Sequence, residues 1–424
     1  MASPRPLSSR PFRALWAAGL ISDAGDWLLL IALPIVVFQL SGSALGTAAA
    51  FAAELGPGIV LAPLAGHLAD AVDRRRLMIA LSALQAAALL PLLLVHGGHG
   101  LAIAYAVIVV QASLAALFDP AKNALVPSLV QAPQLVSANS LMGLGAAIGR
   151  LVGGPLGGLL LAAGSLRAVV AADAISFALA AVLITRIPRA AEDSSAPQGA
   201  ATERVGAGGL RTVLRNRRLA AALLVALVDS IAQGIFVVLF IVFVARRLGG
   251  GSSEIGTLRG VQAIGAIGGG LVLAACGSRW RPVALAAVAA VAFGLVDLTI
   301  WNGPVLTRSE WVYVALFVLA GAPGVVMETA GVSFLQGASS DTERGRVFAA
   351  LGLAENAGQA LGIAAAGLLT APLGVMALLQ GQAALYLISG ALIVILAPGA
   401  RPSRAAHRRK VGTRDGLAVG EERV

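Results

Sequence analysis

Residues 66–79 read GHLADAVDRRRLMI, a charged stretch set between apolar runs that reach back to about residue 44 and forward to about residue 96. Each run has about the 20 apolar residues a helix needs to cross a hydrocarbon layer of about 30 Å with its backbone groups satisfied internally. The stretch therefore reads as a tight polar turn between two membrane helices. Outward from it, the same ruler finds twelve spans, at about 13–38, 44–66, 77–96, 101–121, 138–163, 167–186, 219–245, 254–276, 282–301, 311–335, 346–371 and 376–397.

Composition agrees. Of the 424 residues, 58% are hydrophobic and 12% charged, against roughly a quarter charged in an average soluble domain. A soluble fold of this length needs more Lys, Glu, Asp and Arg on its surface, so lipid is the solvent for most of it. The net charge of +10 is carried by short arginine clusters between apolar runs, not among stacking aromatics, which argues against nucleic acid as a partner. A single cysteine, Cys276, excludes an internal disulfide framework. Arg5, Arg10 and Arg13 precede the first apolar run as in a secretory leader, but Asp23 and Asp26 interrupt that run and it continues to Phe38. It reads as a retained first span.

Lys and Arg set the orientation. With the N-terminus in the cytoplasm, the outer loops hold Arg167, Arg246, Arg247 and Arg308, Arg150 and Arg259 lie within spans, and the remainder fall in the tails or the even-to-odd loops. That bias places both termini inside. Residues 187–218 form the longest polar interruption: AEDSSAPQGAATERVGAGG reads as a disordered linker, and LRTVLRNRR as either a basic surface helix or a solvated charge run. The expected organisation is a six-helix bundle at 1–186, this linker, a second bundle at 219–397 and a basic cytoplasmic tail at 398–424.

The halves repeat. A shift of 209 residues aligns Asp119 with Glu328, Gly149 with Gly358, Gly153 with Gly362, and Gly158-Leu159-Leu160 with Gly367-Leu368-Leu369. A local shift of 206 pairs Asp23 with Asp229. Two parallel six-helix halves place a substrate cavity at their interface.

The stretch at 66–79 resembles the cytoplasmic signature of the major facilitator superfamily, with Gly66, Leu68, Asp70, Arg74 and Arg75 filling the pattern while Ala71 stands for a frequent basic residue and Asp73 for a frequent glycine. FDPAKNALVPSLVQAPQLVSANSL at 118–141, GRLVGGPLGGLLL at 149–161, TERGRVFAALGLAENAGQALG at 342–362 and ISDAGDWLLLIALP at 21–34 are similar to its exporters of drugs, macrolides and siderophores, so the resemblance spans essentially the whole chain. It implies an all-α integral membrane fold of two pseudo-symmetric bundles. GGPLGG is a near match to the fifth-helix antiporter motif: Gly149, Gly153, Gly154, Gly157 and Gly158 allow close backbone contact, and Pro155 removes a donor and bends the helix. As an alternative, the same glycines make a generic small-residue packing face.

An ionisable side chain at mid-span costs about 2.5–3.5 kcal/mol, so each needs a partner, water or a role. The resemblance places Asp23, Asp26, Glu54, Arg150, Asp229 and Glu355 near the central cavity. Asp23 and Asp26, three apart, project from one part of a helix face. Burial and a like charge both favour a protonated carboxyl, which suits Asp26, with Asp23 or Glu54, to exchange a proton opposite Arg150. The bland alternative is a static ion pair or packing contact. Asp119 and Glu328, read as lying near the cytoplasmic ends of the fourth and tenth spans, are expected to meet Arg74, Arg75, Arg76 and Arg279 or Arg281 as a cytoplasmic gate, with Arg344 and Arg346 close to Asp70. Asp173 and Asp297 are expected to cap helices or sit near the membrane surface.

No GxxxxGK[ST] loop surrounds Lys122 or Lys410, so ATP is not the energy source. His96 and His99 have no neighbouring carboxylate or cysteine to complete a metal site, no nucleophile and base can be assembled, and no cofactor is called for. The expectation is a monomeric secondary transporter of the bacterial cytoplasmic membrane, exporting a lipophilic or amphipathic small molecule by proton antiport. An importer or lipid transporter of the same fold is the alternative, and a non-transporting receptor a weaker one.

Overall fold

The computed structural model describes residues 6–95, 99–163, 165–188, 215–276, 281–339 and 343–396. Twelve long helices follow one another: α1 (Arg10–Ser41), α2 (Ala44–Ala71), α3 (Arg74–Ala88), α4 (Gly100–Leu129), α5 (Leu135–Ala162), α6 (Leu166–Thr185), α7 (Arg217–Phe243), α8 (Ser252–Cys276), α9 (Pro282–Asn302), α10 (Glu310–Ala338), α11 (Arg344–Leu373) and α12 (Val375–Leu396). All twelve expected spans are present, each long and apolar enough to cross a bilayer. Most of the expected linker at 187–218, all of the tail at 398–424, His96 and Arg279 lie outside the described residues, as do the side chains of Asp70 and Arg344 and the surroundings of Gly66.

Short polar signals set the helix ends. Ser9 accepts from the Phe12 amide at the start of α1, and Ser43 from the Leu45 and Gly46 amides at the start of α2. Between them Gly42 turns the chain at φ 62°, a left-handed conformation that favours glycine. Asp73, the departure from the superfamily pattern, is the N-cap of α3: its Oδ1 accepts from the Arg76 amide at 2.7 Å. Helix α4 departs from expectation. It continues through Pro120 and Pro127 to Leu129, which brings Lys122, assigned to a loop by the span ruler, onto the helix.

The two halves pack alike. In the first, α1 meets α5 and α6, α2 meets α4, and α3 meets α4 and α6; in the second, α7 meets α11 and α12, α8 meets α10, and α9 meets α10 and α12. Adding six to each helix number converts one set into the other. The main contacts between halves, α5 with α8 and α2 with α11, obey the same rule. The expected glycine repeat has a physical basis here. A Cβ at Gly153 would collide with the Ala24 carbonyl on α1, and one at Gly362 with the Ile231 carbonyl on α7. Both glycines let a helix lie against a neighbour's backbone.

The core is divided by depth. One large apolar cluster unites both halves toward the ends of the spans away from the N-terminus, through Leu33, Ile35, Val237, Phe240, Leu258 and Ile363. Toward the face that holds the N-terminus, the core splits into a cluster confined to the first half, around Phe12, Met78 and Phe118, and another confined to the second, around Leu219, Leu335 and Val347. The halves are joined at one face and parted at the other. Large side chains such as Leu94, Leu271, Val272 and Val394 stay exposed on the outside of the helices, a surface suited to lipid.

Candidate substrate cavity and buried charges

Between the parted halves lies a cavity of about 840 Å³. It runs from mid-span residues Trp27, Arg150, Phe236 and Arg259 to Ala221, Val283, Leu335, Phe348 and Leu396, which belong to helix ends on the N-terminal face. Its wall is largely apolar, with Arg150, Asp229, Gln233, Arg259, Gln262, Glu328 and Glu355 supplying polar groups. A smaller cavity of about 400 Å³ lies deeper and is walled by Glu54, Phe51, Ile255 and Ile363, together with Trp27, Arg150, Gln233 and Arg259, which line both spaces. The two arginines therefore stand where the cavities meet.

Helix rotation decides which charges reach this space. Trp27, one residue beyond Asp26, faces both cavities, whereas Asp23 and Asp26 line neither. Successive helical residues turn by about 100°, so these carboxyls face into the first half instead. There Lys122 Nζ lies 3.7 Å from Asp23 Oδ1 and 2.9 Å from Asp119 Oδ1. Asp26 has Asp173, Asp23, Asp119 and Lys122 as electrostatic neighbours. Asp173 is wholly buried, packed against Gly25 of α1. Its Oδ1 accepts from Ser176 Oγ at 3.1 Å, while Oδ2 has no hydrogen-bond partner. Asp297 is buried too and accepts from Gln382 Nε2 at 2.8 Å; Gln382 Oε1 in turn accepts from Trp301 Nε1 at 2.9 Å. Neither aspartate caps a helix, one of the roles expected for them; both are buried inside a bundle.

The structure separates the other expected sites. Arg150 and Glu54 share the smaller cavity, and Asp229, Glu328 and Glu355 share the larger. Asp229 Oδ1 has no hydrogen-bond partner. Asp119 and Glu328 do not lie near the helix ends: each stands ten residues before the last residue of its helix, about 15 Å in at 1.5 Å per residue. Glu328 consequently faces the cavity, with Glu355 as its charged neighbour. Arg74 Nη1 donates to the Ala124 carbonyl at 3.2 Å, and Arg75 Nη2 to the Thr185 carbonyl at 2.6 Å, tying the start of α3 to α4 and α6. Arg76 Nε lies 3.3 Å from Asp73 Oδ2. Among the described residues, Arg281 and Glu328 have no opposite charge at ion-pair distance.

On the closed face, Gln39 Nε2 donates to Ser252 Oγ at 3.3 Å. Arg246, over the ring of Phe38, donates to the Gly42 carbonyl. Pro155 packs into the space left by Gly260, and a Cβ on Gly158 would lie 2.5 Å from the Ser252 carbonyl and 2.7 Å from Gly256 Cα. Thus the GGPLGG segment serves two surfaces, α1 within its own half and α8 in the other.

Sequence reasoning missed Lys122 and Arg259 as site residues. Lys122 carried a readable signal, its i, i+3 spacing from Asp119; for Arg259 only its position within a span was available.

Two like helical halves closed at one face and parted over a charged central cavity make a membrane transporter of the major facilitator type, not an enzyme. Residues 2–408 match the family described as transmembrane secretion effector, MFS_3, and the chain belongs to it. It is 27% identical over 408 residues to the uncharacterized MFS-type transporter YfiS of Bacillus subtilis (strain 168), covering 93% of this chain and 94% of that one. Over 241 residues it is 33% identical to the multidrug efflux pump Tap of Mycolicibacterium fortuitum, covering 53% of this chain and 57% of Tap. A crystal structure of a bacterial homologue of the iron transporter ferroportin in an inward-facing state superposes with a TM-score of 0.70 at 16% identity, over 92% of this chain and 99% of that one, a likeness of fold.

Proposed function

We propose that this protein exports a lipophilic or amphipathic small molecule across a bacterial cytoplasmic membrane in exchange for protons, working as a monomer with both termini in the cytoplasm. The observation that carries the reading is the mid-span cavity, apolar over most of its wall and bearing carboxylates, open between the halves at one face and closed at the other. The bias of Lys and Arg toward the N-terminal face makes the open side cytoplasmic, the side from which an exporter loads. The family description and the similarity to Tap support export.

Proton exchange falls to the carboxyls of the first half. Asp26 and Asp23 lie beside Lys122, and Glu54 lines the smaller cavity with the arginines. A carboxyl in low dielectric carries charge at a cost, so protonation and the closing of its surroundings are coupled. Asp70, Arg74, Arg75, Arg76, Arg281, Arg344 and Arg346 are assigned to the gate that closes the cytoplasmic face once the halves rock together.

Purified protein in proteoliposomes, given a solute panel with and without an imposed pH gradient, tests the reading. Substrate addition is expected to release protons from loaded vesicles, and Asp26→Asn to abolish that flux while substrate binding survives. Undiminished proton flux in the variant would remove Asp26 from the mechanism; flux indifferent to the pH gradient would remove antiport.

A further inference from the structure

Two cations without a carboxylate at ion-pair distance among the described residues lie at the centre of the molecule. Arg150 on α5 and Arg259 on α8 come from opposite halves, yet both line both cavities. Arg150 lies 4.7 Å from the ring of Trp27 and Arg259 5.0 Å from that of Phe236. Among the described residues, the polar contact of Arg259 is from Nη1 to Gln262 Oε1, at 3.1 Å. Among the described residues no carboxylate lies at ion-pair distance from either arginine. Acids do share these walls, Glu54 in the deeper space and Asp229, Glu328 and Glu355 in the larger.

Such an arrangement is costly if nothing occupies it. A guanidinium keeps its charge at any ordinary pH, its presence at mid-span is unfavourable, and a ring face returns only about 0.5–2 kcal/mol. Two like charges facing one space add repulsion. An anion between them removes both penalties, and the planar forks of arginine match carboxylate, sulfonate and phosphate groups. Beyond the arginines most of the cavity wall is apolar, with Phe293, Val325, Phe334 and Phe348 along it. We propose that Arg150 and Arg259 form a clamp, one arm from each half, for the anionic head of an amphipathic substrate whose apolar body lies along this wall. The clamp rests on the export reading only for the claim that the anion is cargo. Because its arms belong to different halves, the bound head also links occupancy to their relative position.

Three probes with one aromatic body test the clamp: naphthalene-2-sulfonate, 2-naphthylmethyltrimethylammonium and 2-naphthalenemethanol, each titrated by equilibrium dialysis against the full chain in phosphatidylcholine nanodiscs. The sulfonate is expected to bind at least about tenfold more tightly than the ammonium, and to lose about tenfold in Arg150→Gln and again in Arg259→Gln. Unchanged binding of the alcohol in both variants reports an intact cavity. Equal binding of the three probes, preference for the ammonium, or sulfonate binding that survives the double variant would overturn the clamp. Displacement of the sulfonate by dihexanoylphosphatidylglycerol but not by octanoate would give the site to a lipid headgroup and overturn the cargo assignment. Proteoliposome flux is read separately: selective sulfonate binding without flux supports the clamp and sinks the export reading, whereas flux of the cation alone sinks the clamp and spares transport.

Discussion

Lys122 holds together carboxylates on two helices, with 14% of its side chain exposed. Its removal leaves Asp23 and Asp119 facing each other without a cation. Neighbours in one charged network couple by about 0.5–3 kcal/mol. A double-mutant cycle of Lys122→Gln and Asp23→Asn, followed by unfolding in detergent, is therefore expected to give a coupling in that range, and additive effects would show that the pair is idle. The repeat makes the contrast with the second half instructive. Glu328 is the counterpart of Asp119, but the position matching Lys122 is Gly331, so the second acid is left to the cavity. Gln382 is a different case, a neutral side chain that satisfies Asp297 and Trp301 together. Gln382→Leu strands both buried groups and is expected to cost about 1–3 kcal/mol, read as a lowered unfolding midpoint.

At the scale of elements, α5 carries more constraint than any single residue on it. Gly153 and Gly157 lie against α1 backbone, while Gly158 lies against Gly256 of α8. Their substitutions separate by outcome. Gly157→Leu forces α1 and α5 apart within one half and is expected to destabilise the fold by about 1–3 kcal/mol or more. Gly158→Val wedges the closed face between halves and is expected to favour the state open on that side, seen as faster labelling of a cysteine placed at Ile255 in a Cys276→Ser background. These helices were legible in the sequence because hydropathy is a local property, and so was the spacing of the glycines. Which backbone each glycine meets was not, because the partner lies more than ninety residues away in the chain. Helix α4 outruns the apolar run at about 101–121, continuing nine residues past Pro120, because a span ruler marks the apolar stretch and not the end of the helix.

For the whole molecule, the joined cluster at one face and the split clusters at the other describe one state of the rocking pair proposed above. Gln39 and Ser252 meet across the closed face, so cysteines at both positions, with Cys276 replaced, are expected to cross-link on oxidation and to stop transport reversibly on reduction. Transport that continues in the fully cross-linked protein would show that this face need not open. Arg246→Ala removes the bond to Gly42 and the contact with Phe38 and is expected to loosen the same face without unfolding the helices.

The amino-acid sequence by itself determined that twelve helices span a membrane, that they fall into two related sets, and that carboxylates and arginines lie among them, since each property is written in the length, periodicity and charge of contiguous segments. Only the tertiary structure decided that Asp23 and Asp26 face a lysine inside one bundle while Arg150 and Arg259, from different bundles, line one shared space. That choice depends on the rotation of each helix about its axis, set by packing against helices distant in the chain, which no local pattern records.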